Sequence, residues 1–148
     1  MFEPTEKVRK YLTQLFEEDI PLHRFLGLKL LEIKEGYGKV RVPFREEVVG
    51  NIRLRRWHGG IIATVMDSIG GLAASTYMTS PEDKIATIDM RIDYLRGAKD
   101  SPIVVDGTVL RVGNRTIFTS MRAWQEGADE LLAEGRGVYN VRRKSDQG

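Results

Sequence analysis

Read for the spacing of its apolar residues, the chain changes period several times. Over residues 5–18, Val8, Tyr11, Leu12, Leu15 and Phe16 recur three and four apart, the spacing of a helix with one buried face. Thr5 is placed to cap that helix and Pro21 to close it. After a connector through His23 and Gly27, residues 28–44 alternate, with Val40, Val42 and Phe44 set against Lys39 and Arg41 around Gly36-Tyr37-Gly38. This predicts a hairpin, or one long strand bent at the glycines. Residues 45–57 keep no sustained period. Helical spacing then returns for about four turns beyond His58-Gly59-Gly60. Ile61, Val65, Ile69 and Leu72 form a broad apolar stripe, and Ala63, Asp67, Gly70, Gly71 and Ala74 form a stripe of small residues. A loop at Ser80-Pro81-Glu82-Asp83 ends this helix.

Everything after that loop has the period of strands. Residues 85–97 set Ile88, Met90, Ile92 and Tyr94 against Asp89, Arg91 and Asp93, and three β-rich runs follow at 103–112, 115–125 and 131–142. Turns at 113–115 and 126–129 separate them. Long strands joined by short turns predict an antiparallel meander, whose apolar face needs a cover. The Ile61 to Leu72 stripe can supply it. The pattern therefore predicts an α+β fold over residues 1–148: a curved antiparallel sheet wrapped around a central helix, preceded by an N-terminal helix, in one domain without internal repeats.

The central helix carries the candidate chemistry. Asp67 lies among apolar and small residues, and no Lys or Arg occurs between Trp57 and Lys84 to pair with it locally. A buried carboxylate without a partner is costly, so Asp67 is expected to face a cleft, a neighbouring chain or a ligand. Gly70 and Gly71 cost roughly 1 kcal/mol each against alanine inside a helix, which fits a face that something approaches closely. At the start of the helix, Gly59 and Gly60 stand where the first N–H groups lack intrahelical acceptors, a place suited to a developing negative oxygen.

Composition removes several alternatives. With 23 basic and 21 acidic residues the formal net charge is +2, which does not favour a general nucleic-acid binder. The chain has no cysteine, which excludes disulfides, thiolate catalysis and cysteine-ligated zinc and fits a reducing, cytoplasmic setting. Its two histidines, His23 and His58, cannot make a His-rich metal site. His23 is assigned a structural role. No apolar run is long enough to span a bilayer, and the first residues, MFEPTEKVRK, lack the pattern of a signal peptide. Ser68, Ser75 and Ser80 lack the strand-turn-helix setting of a nucleophilic serine.

The run WHGGIIATVMDSIGGLAA, followed by ATIDMRIDYLRGA and VGNRT, resembles the hotdog-fold acyl-CoA thioesterases of the phenylacetate-degradation (PaaI-like) type. The resemblance extends over roughly residues 25–142. It implies hydrolysis of an acyl-CoA to free acid and CoA, without a cofactor, in a homodimer or dimer of dimers whose sites are shared between subunits. By the same resemblance Asp67 is the general base or nucleophile, and the Gly59 N–H polarises the thioester carbonyl. Asn51 and His58 lie near the carbonyl and sulfur, and Thr87 helps place water. Asn51 stands seven residues before His58, one more than in many relatives, and Arg55-Arg56-Trp57 replaces their usual small-residue approach. Thr87 has the parity of the polar strand face, so reaching the site requires an irregular strand. Gly60, Arg56, Arg96 and Arg115 are the expected substrate-binding residues, the arginines because their forks suit the phosphates of CoA. A non-catalytic acyl-CoA sensor or carrier on the same fold would keep the cleft and basic residues but has no need of Asp67 beside an oxyanion site.

Overall fold

A computed structural model of the protein describes residues 6–146, so the expected Thr5 cap lies outside the described residues. One six-stranded antiparallel sheet is made by β1 (Lys29–Lys34), β2 (Tyr37–Val42), β5 (Lys84–Tyr94), β6 (Ile103–Val112), β7 (Thr116–Gln125) and β8 (Leu131–Arg142). Its order is β1-β2-β6-β7-β8-β5. The strands β6, β7 and β8 form the expected meander, but β5 does not lie beside β6. It pairs with β8 at the far edge, and β6 pairs back onto β2. The connection through α3 (Gly59–Ser75) carries the chain from one side of the sheet to the other, which strand periodicity alone cannot register.

The sheet folds round α3, which touches β2, β5, β6, β7 and β8. The buried face is consequently wider than the predicted stripe. Ile62, Val65, Met66, Ile69, Leu72 and Ala73 are buried with the small residues Gly70 and Ala74, whereas Ile61 is only partly covered. Two glycines set the closeness of helix and sheet. A Cβ on Gly107 would lie 3.0 Å from the Ile69 carbonyl oxygen, and one on Gly70 would lie 2.4 Å from the Tyr139 hydroxyl. Neither position has room for a side chain, so the helix cannot shift or rotate against the sheet without breaking these contacts.

The N-terminal region departs from its pattern. The helix α1 (Glu6–Gln14) passes into a π-helical turn at Leu15–Asp19 that ends at the extended Ile20, just before Pro21 as expected, and Pro21 also opens a second helix, α2 (Pro21–Leu26). Proline suits the first position of a helix, where no intrahelical acceptor exists for its missing N–H. Gly27 then ends α2 in the left-handed conformation, φ 73°. His23 is thus helical and buried rather than part of a connector. Residues 45–57 contain a 3-10 turn at Glu46–Val48 and a small hairpin of β3 (Val49–Asn51) and β4 (Arg56–Trp57). Strands of three and two residues are too short to display a period.

A third departure bears on the site. In the pairing of β5 with β8, Thr87 lies opposite Tyr139 and Asp89 opposite Val138, so Ile88 is an extra residue in a β-bulge. Before the bulge Ile85 and Thr87 look towards α3; after it Met90 and Ile92 do so. Ile88, predicted on the apolar face, is 58% exposed.

Candidate active site

Asp67 lies near the middle of α3, half-buried, in the wall of a cavity of about 270 Å³. Its neighbours are hydroxyls rather than cations. The Thr87 hydroxyl donates to Asp67 Oδ1 at 2.7 Å. The Tyr139 hydroxyl donates to the Asp67 backbone carbonyl at 2.8 Å and lies 3.3 Å from Oδ1. Among the described residues no hydrogen bond reaches Oδ2, so one oxygen is held and the other is not engaged. Thr87 reaches the carboxylate because of the bulge at Ile88; on an unbroken strand its parity would point it to the opposite face.

Tyr139 was not singled out by the sequence pattern. It is almost fully buried, and desolvation, with the Asp67 carboxylate beside it, pushes its phenol above the ordinary value of 10.0. At neutral pH it is therefore a proton donor only in the hydrogen-bonding sense. A signal for it existed in the Gly70-Gly71 pair, since two glycines on one helix face imply a bulky neighbour. The identity of that neighbour depends on strand order, which the sequence does not display.

The first turn of α3 has a different character. His58 caps the helix: its Nδ1 accepts the Gly60 N–H at 2.9 Å, which places any ring proton of the neutral side chain on Nε2. Gly60 therefore has its donor occupied within the chain. Gly59, at the first helical position, has no intrahelical acceptor for its N–H, and among the described residues no other group takes it. Its carbonyl accepts from the Tyr94 hydroxyl at 2.7 Å. Asn51 is exposed, and its Oδ1 accepts the Leu54 N–H at 3.0 Å, closing the turn of the β3–β4 hairpin. Arg55, in the left-handed conformation at φ 51°, braces the same loop through Glu46 and Asp100.

The expected CoA-binding arginines are spread out. Arg56 lies over Gly97, its Cδ 3.2 Å from where a Cβ would stand, and the Trp57 N–H to Ala98 carbonyl bond at 3.1 Å ties this strand to the same segment. Arg96 donates to the Leu131 carbonyl at 3.1 Å and pairs with Glu130 at 3.0 Å. Arg115 is exposed in the β6–β7 turn, with its backbone carbonyl taken by the Val141 N–H. Among the described residues no group of three or more His, Asp or Glu side chains is arranged to hold a metal ion.

Along α3 the Gly59 donor and Asp67 are eight residues apart, roughly 12 Å by helical rise. The free N–H groups of a first turn also point out of the helix end, away from Asp67. Within one chain the two ends of the arrangement therefore cannot act on the same carbonyl.

The family profile of the Thioesterase superfamily matches residues 55–132, which include both ends of this arrangement. A protein of Halobacterium salinarum bearing a provisional esterase name is 32% identical over 145 residues, spanning 89% of this chain and 91% of its own. The medium/long-chain acyl-CoA thioesterase YigI of Salmonella typhimurium is 28% identical over 149 residues, spanning 92% of this chain and 95% of its own. A crystal structure from Shewanella oneidensis, described as related to the thioesterase superfamily, superposes with a TM-score of 0.81 at 31% identity, covering 92% of this chain and 96% of that one. The chain belongs to the thioesterase superfamily, a class of thioester hydrolases with the hotdog fold. No helix among the described residues is long and apolar enough to cross a membrane.

Proposed function

We propose that the protein hydrolyses acyl-CoA thioesters in sites shared between two copies of the chain. Asp67 Oδ2 attacks the thioester carbonyl, directly or by taking a proton from water that does so. The Gly59 N–H of the other copy receives the developing oxyanion. The C–S bond then breaks, and CoA leaves as a thiolate, protonated from solvent or by Asp67 where Asp67 has taken the proton of the attacking water; on the direct route a water then cleaves the acyl-Asp67 anhydride, releasing the free acid and restoring the carboxylate. The observation that carries this reading is the separation along α3: an open carboxylate oxygen and a free helix-terminal N–H, both suited to acyl transfer, lie too far apart and too divergently aimed to serve one carbonyl. A twofold axis would bring the first turn of one helix to the middle of the other, and a shared site would make the dimer obligatory. Thr87 and Tyr139 fix Oδ1 so that Oδ2 keeps its direction. His58, through Gly60, holds the first turn in shape and turns its Nε2 edge outward near Gly59. Asn51, in the loop that leads to His58, is the proposed further contact near the carbonyl, and Arg56, Arg96 and Arg115 are the proposed contacts for the CoA phosphates.

The test is release of free CoA from a panel of acyl-CoAs, followed with a thiol-reactive dye. The chain has no cysteine, so the protein itself gives no background. Two inactive variants, Asp67→Asn and Gly59→Pro, are then unfolded, mixed and refolded together. Heterodimers are expected to regain one working site in two. Absence of recovery in properly refolded heterodimers would place each whole site within one chain and overturn the shared arrangement.

A further inference from the structure

The cavity at Asp67 does not end beside the carboxylate. It adjoins a second cavity of about 550 Å³, and Leu12, Leu15, Ser75 and Ile85 line both. Taken alone, the first is slightly below the range of about 300–1,000 Å³ usual for ligand pockets; with the second it lies within it. The floor of the joined groove is one face of α3, passing from Asp67 and Ser68 through Gly71 to Ser75, a rise of roughly 12 Å. Its roof is the N-terminal segment, from Phe16 and Leu15 to Leu12 and finally Tyr11, and Tyr11 and Pro81 line its far part. Small side chains on the floor and leucines on the roof give a long apolar slot that begins at the reactive carboxylate.

The roof is tied to the floor close to Asp67. His23 Nδ1 donates to the Phe16 carbonyl at 2.8 Å, and the Ser68 hydroxyl lies 2.9 Å from Nε2, so one imidazole joins the π-helical turn to the α3 floor. Beyond that latch α1 lies over the groove with Tyr11 58% exposed. A roof latched near Asp67 suits a chain that enters at the carboxylate and extends away from it along α1.

Resting on the thioesterase reading above, we infer that this groove takes an unbranched, medium-length acyl chain, and that Leu12 and Ser75, facing each other from roof and floor, set how long a chain fits. An aromatic acyl group is too short to use the second cavity and gains nothing from it. Each methylene added along the groove is worth a factor of about four in affinity until the chain passes Tyr11 and Pro81.

Two variants that narrow the groove from opposite walls, Leu12→Trp and Ser75→Met, test this against butyryl-, octanoyl-, dodecanoyl- and phenylacetyl-CoA. Hydrolysis is measured beside direct binding of a fluorescent dodecanoate analogue, which reads the groove without chemistry. In the wild type kcat/KM is expected to climb from butyryl to dodecanoyl, with phenylacetyl below octanoyl. Both variants should lose at least about tenfold on dodecanoyl-CoA and on dodecanoate binding, yet stay within about twofold of wild type on butyryl-CoA. Equal losses at every length, or a preference for phenylacetyl-CoA, would overturn the acyl groove. Length-dependent binding that both variants weaken, without any hydrolysis, would retain the groove and reject the catalytic reading instead.

Discussion

At its first turn α3 is open to solvent: His58 caps, Gly59 presents an N–H untaken among the described residues, and the surrounding loop is held by Asn51, Arg55 and their partners. At its middle, Asp67 is half-enclosed, with one oxygen held by Thr87, the Tyr139 hydroxyl close by and Gly70 pressed against the sheet. In the proposed reaction the first turn supplies the donor and the middle of the helix the base or nucleophile. Their positioning differs accordingly. The donor is a backbone group whose direction follows from the helix itself, while the carboxylate is a side chain and needs neighbours to aim it.

The largest effect expected from this contrast is at Asp67. Asp67→Asn keeps the shape and removes the proton acceptor, so kcat should fall by about 10²–10⁴ with little change in KM. Near wild-type turnover would remove Asp67 from the reaction. At the other end, Gly59→Pro deletes the N–H while keeping the helix, because proline fits the first helical position and His58, at φ −66° and ψ 126°, already has the conformation a following proline requires. The Tyr94 ring, 3.2 Å from a Cβ at this position, has to give by a few tenths of an ångström. The expected loss in kcat is about 10²–10³ with an unchanged circular dichroism spectrum. Full activity would show that the helix end is not the oxyanion donor.

Smaller effects separate the two hydroxyls. Thr87→Val removes the 2.7 Å donor and should cost about tenfold in kcat. Tyr139→Phe, whose hydroxyl binds mainly the backbone carbonyl, should cost less in kcat and show more in thermal stability. The reverse order would make Tyr139 the group that aims the carboxylate. The mildest effect concerns the latch. Burial lowers the pKa of His23 below its ordinary 6.5, outweighing the raising effect of the Phe16 carbonyl. The unfolded chain therefore takes up this proton more readily than the folded one. The stability contribution is complete above pH 6.5 and declines as the pH falls below it. Thermal melts of wild type and His23→Gln should converge on acidification from pH 7.5 to 5.5, whereas a constant gap would mean that His23 is not titrating against folding.

The legibility of the chain follows the same division. Long strands and the central helix were readable because each shows a sustained period against one buried face, as in residues 103–112 and 131–142. Strand order was not readable, because the placement of β5 beside β8 depends on tertiary packing. The position of Asp67 in a cleft followed from an acid in an apolar helix with no local cation. Tyr139 escaped notice because its relation to Asp67 spans 72 residues of sequence. Pro21 marks the end of the first helical segment, but α2, which it also opens, is too short to show a period. The β3–β4 hairpin was too short to leave a pattern.

The bulge at Ile88 has a consequence for how this strand tolerates change in length. Without Ile88, Ile85 and Thr87 would continue in step with Met90 and Ile92, so a one-residue deletion leaves the inward and outward sets of β5 as they are. What disappears is the local bend and extra twist at Thr87. The fold is thus buffered against a shortened codon sequence at this point, while the distance from Thr87 to Asp67 is not. A chain lacking Ile88 should fold, pair its strands and still have lost the alignment of its carboxylate.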